Sequence, residues 1–292
     1  MHHSYIFMYL CDNSFLSCIF ASLRTKTMMK KILPLLLVIG IWSCSNNDPS
    51  ENAARLRIKL TDAPSLTLKG LQIEIDSIEV SLYDTGDDWV ALDYGGGTYN
   101  MLPLSNGNTQ QISDQYFPAD GIIQRIKLLF GDGNKLQTTE GDKELILAEE
   151  NREVIIEGVN AALYSHVVCN IVIDINALIS VTESNGNYYL NPVMRAFDEA
   201  FTGSLRGYVS PAMANATALI ASEGDTLISL PEPDGKFMFL GLKEGPWKIF
   251  LVSPPDSGYV DTVFVDTVKM GKIRDIVPKP IVLKKRTEDA QK

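Results

Sequence analysis

The residue pattern dictates an all-β chain, with two tandem β-sandwich-like domains behind an export segment and a flexible tether. Apolar and polar residues alternate over short runs, clusters of Gly, Asp and Asn separate the runs, and no segment sustains a helical period for three turns.

The alternation starts at Leu56, Ile58 and Leu60 and resumes at Leu71, Ile73 and Ile75, with Gln72, Glu74 and Asp76 between them. At Ser77 the phase flips, because Ile78, Val80 and Leu82 then carry the apolar set. A one-residue slip exchanges the faces of a strand, so a bulge or bend is expected near Asp76–Ser77. Further strands are expected at 89–92, 122–130, 144–147, 153–156, 166–175 and 188–197, separated by turns such as Asp84–Asp88, Gly95–Gly97 and Gly131–Asn134. Single helical turns are expected at most near Ile179 or over 160–164.

The pattern pauses over 198–203 and restarts as seven short runs, at 203–209, 216–221, 226–230, 236–240, 247–252, 259–268 and 276–283. Asp234–Gly235 predicts a hairpin through positive φ at the glycine, and Gly245–Pro246 predicts another reversal. The domains so delimited are 54–198 and 199–284, followed by a loose charged tail at 285–292.

Ahead of them, Met28–Cys44 opens with Lys30 and Lys31 and continues as an apolar run over 32–42. That run is about half of the roughly 20 residues a bilayer-spanning helix needs, so it reads as a cleaved signal peptide over 28–43. Ile41-Trp42-Ser43-Cys44 resembles the bacterial lipobox, although Trp42 stands where a small residue is usual. The resemblance implies a diacylglycerol thioether on Cys44, which makes the membrane a partner. A secreted product without lipid is the alternative. Residues 44–53 are polar and turn-rich, as a tether should be. Residues 1–27 carry no extendable pattern and read as a mis-extended start before Met28 or Met29.

The whole chain carries a net charge of −10, and loss of residues 1–43 removes four basic side chains and one acidic, leaving −13. Such a surface repels nucleic acid. Only Cys44 and Cys169 remain after processing, so a lipidated Cys44 leaves Cys169 without an intramolecular disulfide partner, and apolar cores must supply the stability. Cys169, within an apolar strand, reads as a small buried hydrophobe rather than a reactive thiol.

Catalytic and metal signatures are thin. His166 is the one histidine left after processing, is expected on a strand, and has no Gly-x-Ser-x-Gly elbow to serve. Zinc would lack further His or Cys ligands. No metal or other cofactor is expected, and Asp84, Asp87 and Asp88 form only a weak calcium candidate that an ordinary hairpin tip explains equally well. Paired carboxylates of a glycoside hydrolase need a particular spacing in a cleft, and 35 acidic residues after processing nominate no pair. Tyr94, Tyr99, Tyr188 and Tyr189 fall near loops or strand ends and are candidate ligand contacts, with core or edge packing the plainer role.

Leu60-Thr61-Asp62-Ala63-Pro64, Trp89-Val90-Ala91-Leu92 and Gly186–Arg195, in that order, resemble the bacterial and archaeal domain of unknown function 4382. The resemblance covers about 54–198 and implies an extracytoplasmic β domain without an established activity. Gly207-Tyr208-Val209, Asp234–Leu242 and Gly245–Ile249 resemble the carboxypeptidase-regulatory, transthyretin-like module, which implies a non-catalytic spacer or binding unit. Trp247 stands where that family usually has tyrosine. The expectation is a non-enzymatic, lipid-anchored binding or adhesion protein of a bacterial outer membrane or cell surface, contacting glycans or surface proteins. The alternatives are a carbohydrate-active hydrolase using paired carboxylates and a structural subunit of a surface assembly.

Overall fold

The structure is a computed structural model, and it describes residues 52–63 and 69–286. The expected mis-extended start, signal peptide and tether up to Glu51, with Cys44, as well as Pro64 of the Asp-Ala-Pro motif and the end of the tail from Thr287, lie outside the described residues.

The first module comprises β1 (Ala53–Ala63), β2 (Gly70–Ser81), β3 (Val90–Ala91), β4 (Gly97–Asn100), β5 (Gln110–Pro118), β6 (Gly121–Ile123), β7 (Arg125–Phe130), β8 (Lys135–Thr138), β9 (Gly141–Leu147), β10 (Glu153–Ile156), β11 (Ala161–Leu163), β12 (Val168–Asn176), the single helical turn α1 (Ala177–Ser180), β13 (Val181–Ser184), β14 (Asn187–Leu190) and β15 (Met194–Asp198). The second comprises β16 (Gly203–Ser210), β17 (Thr217–Ser222), β18 (Asp225–Ser229), β19 (Lys236–Leu242), β20 (Gly245–Val252), β21 (Thr262–Val268), β22 (Ile273–Asp275) and β23 (Ile281–Val282).

In module 1 a sheet ordered β15-β12-β1-β5 faces a larger one ordered β10-β7-β2-β8-β9-β14-β13, with β3 and β4 also paired to β2. Leu56, Ile58 and Leu60 of β1 point inward with Ile171, Ile173 and Ile175 of β12, the strand that pairs with β1 in parallel. From the other sheet Leu71, Ile73, Ile75, Ile78 and Val80 meet them, all at most 1% exposed. The predicted phase flip is a bulge. Opposite β7, Ile75 pairs with Phe130 and Ser77 with Leu129, so Asp76 is the extra residue that lets both halves of β2 face the same core.

Module 2 stacks a sheet ordered β18-β17-β20-β21 on one ordered β19-β16-β22, with β23 also on β16. Phe237, Phe239, Ile249, Leu251 and Trp247 fill the space between them. The chain is therefore all-β and sandwich-like in both modules.

Several local expectations change. The Asp234–Gly235 turn forms, with Gly235 at φ 85°, yet it joins no hairpin, because β18 pairs with β17 while β19 crosses to β16. Gly235 lies so close to Val209 that a Cβ there would collide with the Val209 carbonyl oxygen. The Gly245–Pro246 reversal likewise leads from one sheet to the other. His166 is not a strand residue. It sits exposed in a turn at φ 62°, where its N–H donates to Ala53 O at 3.0 Å. Residues 161–163 are strand rather than helix, and α1 is the turn that forms near Ile179. At the tail, Val260 N–H donates to Lys284 O and Arg286 N–H to Gly258 O, which ties the chain down as far as Arg286.

Candidate functional site

Both modules belong to one compact unit, 49–292, and the polar seam between them is where chemistry-bearing side chains gather. β1 and β12 end at this seam. Asp62, 5% exposed, accepts the Ala177 N–H at 3.1 Å through Oδ1 and so caps α1, while its Oδ2 has no partner. Burial pushes its carboxyl up to about 8, the Ala177 hydrogen bond opposes that shift, and the nearby Asp174 charge adds to it.

Asp174, 8% exposed, takes the Arg195 guanidinium at 3.0 Å from Nε and 2.8 Å from Nη2. The same guanidinium donates to Leu240 O at 2.9 Å and Gly241 O at 3.0 Å in module 2, and it lies 5.1 Å from the centre of the Phe197 ring. One arginine thus binds a carboxylate of module 1 and two carbonyls of module 2. Asn106 does the complementary work on the other side: Nδ2 donates to Leu230 O at 2.8 Å, and Oδ1 accepts from Ser229 Oγ at 2.6 Å and from Met238 N–H at 3.3 Å.

The backbone comes close at both clasps. Gly107, at φ 89°, leaves room for the Met238 side chain, and a Cβ at Gly241, φ 64°, would overlap the Phe197 ring. Between the clasps, Thr61, Asp62, Asn106, Asp174 and Arg195 line a cavity of about 30 Å³. That is room for about one water, too little for a sugar ring, so the Asp62–Asp174 pair does not serve the hydrolase reading.

Two wider clefts flank the seam. The larger, about 640 Å³, is walled by Phe197, Phe201, Leu227 and Trp247, with Glu157 and Asp225 exposed at its lip. The smaller, about 290 Å³, lies among Thr109, Glu199, Met238 and Lys272.

The tyrosines nominated from sequence do not gather into one patch. Tyr94 and Tyr99 hydrogen-bond to each other at 2.8 Å, Tyr94 also donates to Ile75 O at 3.2 Å, and both pack half-buried against the module 1 core. Burial and the Tyr99 hydroxyl push the Tyr94 hydroxyl up. Tyr188 and Tyr189 are half-buried on β14, three strands away from β2 in the sheet. Asp84, Asp87 and Asp88 are exposed in the loop before β3, and among the described residues no three His, Cys, Asp or Glu side chains converge to hold a metal ion. Cys169 is buried, 3.7 Å from Asp198 Oδ2, and burial pushes its thiol up to about 12.

Sequence reasoning missed Arg195 and Asn106. The Asn106-Gly107 pair was readable as a turn and Arg195 closes the Gly186–Arg195 run on which the sequence resemblance was drawn, but neither signal names a partner in the other module. It missed Arg125 too, a 7% exposed side chain that donates to Tyr83 O and Gly86 O and lies 4.5 Å from the Trp89 ring centre.

Residues 53–192 match the family described as domain of unknown function (DUF4382). No curated protein sequence matches the chain significantly. Similar solved structures include the Bacillus anthracis TIE protein, at 12% identity and TM-score 0.25, where the match covers 75% of this chain and 35% of the other. The chain thus spans about a third of that protein's length. The shaft pilin SpaA of Lactobacillus rhamnosus GG, in a single-substitution form, matches at 11% identity and TM-score 0.22 over 81% of this chain and 98% of the pilin. The minor pilin GBS52 of Streptococcus agalactiae matches at 10% identity and TM-score 0.22 over 80% and 97%. Among the described residues no helix is long and apolar enough to cross a membrane.

Proposed function

We propose that this chain is a non-catalytic, lipid-anchored protein of a bacterial outer membrane or cell surface, processed before Cys44, that binds glycans or surface proteins or serves as a structural subunit there. The observation that carries the reading is the placement of module 1. The described chain enters β1 at Ala53, where His166 and Pro118 flank it, and the far end of the same strand, Thr61 and Asp62, meets module 2. Eleven extended residues span about 35 Å, so module 1 acts as a spacer that carries module 2 away from the tether. Arg195 and Asn106 hold the two in one arrangement.

Module 2 serves in this reading as a carboxypeptidase-regulatory, transthyretin-like accessory unit. Its two stacked sheets and the inward Phe237, Phe239 and Ile249 support that assignment. The anchor rests on the order of parts in Met28–Cys44, and two acyl chains suffice for stable attachment at about 0.8 kcal/mol per buried methylene.

The test is metabolic palmitate labelling of wild type and Cys44→Ala, with a glycan and matrix-protein screen on the detergent-extracted full-length protein. Loss of label in the mutant alone, with saturable binding and no glycan turnover, is the expected result. A mature product that begins elsewhere with an unmodified thiol sinks the anchor, and hydrolysis of a glycan sinks the non-catalytic role.

A further inference from the structure

We propose that the larger cleft between the modules binds an extended peptide segment that adds a strand to the open edge of β15. β15 is the outer strand of its sheet, bonded to β12 alone, and Arg195, Ala196, Phe197 and Asp198, four of its five residues, line the cleft. The opposite wall is also an outer strand. β18 is bonded to β17 alone and contributes Asp225, Thr226 and Leu227. An outer strand presents unpaired backbone N–H and C=O groups on its free side, and the chain best matched to such a row is another extended backbone; on β15 the row centres on Ala196, because the Asp198 carbonyl already accepts from Phe201 N–H at 3.2 Å and Thr202 Oγ1 at 2.8 Å.

The side chains define what that segment carries. Phe201, 43% exposed, stands in the cleft beside the buried Phe197 and Trp247, which gives an apolar floor for alternate side chains of the incoming strand. Of the cleft's charged residues, Glu157, Asp198 and Asp225 are acidic and Arg195 and Lys243 basic; Lys243 lies 3.7 Å from Asp225, and Arg195 is already paired with Asp174. The surplus negative charge fits a basic side chain next to the apolar ones. The cleft volume falls within the few hundred to about a thousand Å³ typical of ligand sites, and junctions between modules are where such sites concentrate. The assignment rests on the binding role proposed above and names its partner class, but it needs no lipid on Cys44.

The experiment presents detergent-extracted full-length protein with a set of decapeptides that alternate apolar and polar residues, with or without one arginine near an end. The arginine peptides are expected to bind, and N-methylation of alternate amides in one register should weaken them about tenfold while the other register leaves them unchanged. Phe201→Glu and Glu157→Lys, both at exposed positions, should each weaken the arginine peptide about tenfold with an unchanged circular dichroism spectrum. Hydrogen exchange should show new protection in β15. Failure of every decapeptide at millimolar concentration overturns the proposal, as does binding indifferent to both methylation registers and to Phe201→Glu, or a cleft filled by a glycan or a second copy of the chain instead. Running the same assay on Cys44→Ala protein separates this outcome from the anchor, since loss of palmitate leaves peptide capture intact.

Discussion

The interiors of the two sandwiches and the seam between them are made of opposite materials. Each interior is packed chiefly from apolar side chains, Phe130 with Ile73 and Ile173 in module 1 and Phe237 with Ile249 in module 2. The seam is built from Asp62, Asp174, Arg195 and Asn106. Apolar packing is non-directional and scales with area, so it holds each sandwich together without specifying a neighbour. Hydrogen bonds have direction, and those of Arg195 and Asn106 select one arrangement of the modules even though Asp62 Oδ2 and Asp174 Oδ1 stay without partners.

The contrast breaks most visibly in an interior. Phe237→Ala should cost about 3–5 kcal/mol, because a fully buried ring leaves a cavity behind. Urea unfolding followed by hydrogen exchange should then show module 2 opening first, with β1 and β12 still protected. Simultaneous loss of both modules would show that the seam couples them as tightly as either core does.

At the seam the expected loss is smaller and of a different kind. Arg195→Met strands Asp174 without its cation and should cost about 2 kcal/mol, below the figure for a fully buried pair because the guanidinium stays partly wet. The informative readout is small-angle scattering, which should show a wider spread of inter-module distances while both cores remain folded. An unchanged profile would shift the job of holding the modules to Asn106 and to close packing at Gly107 and Gly241.

Asp62 makes the seam sensitive to pH. Its folded value, about 8, lies above the ordinary 3.8, so the folded protein holds the proton more tightly than the unfolded chain does. The contribution is fully present below about pH 4 and is lost as pH rises through about 8. Urea midpoints should therefore fall between pH 5 and pH 9 in wild type and fall less in Asp62→Asn, by about 1 kcal/mol or more. Parallel curves for the two proteins would mean that the carboxyl is not shifted. The smallest expected effect is Tyr94→Phe, about 1 kcal/mol for the hydrogen bonds to Tyr99 and Ile75, seen as a slight drop in thermal midpoint.

What the sequence announced and what it concealed follow the same division. The inward residues of β1, β2 and β12 were legible because strand periodicity is local, and the bulge at Asp76 was legible because it shifts that period by one. The Asp234–Gly235 turn was visible as a turn, but turn chemistry does not choose the sheet that the next strand joins, and β19 went to β16. His166 looked like a strand residue inside an apolar run, yet the reversal into β12 needed a positive φ there. Arg195 meets Gly241, and Asn106 meets Leu230, across 46 and 124 residues. No local pattern encodes such distant pairings. The four tyrosines, near turns, were candidate ligand contacts with core or edge packing the plainer role, and the structure half-buries all four.

The parallel pairing of β1 with β12 has a consequence for assembly. Arg55 finds its partner at Val168 and Asp62 at Ile175, about a hundred residues further along, although β5 reaches β1 sooner. A contact that closes so long a loop is slow to form. As the chain emerges from its amino end, the first strand waits with one edge unpaired and its apolar face, Leu56, Ile58 and Leu60, uncovered until most of module 1 has followed it, and any holdase that escorts this protein has its natural foothold there.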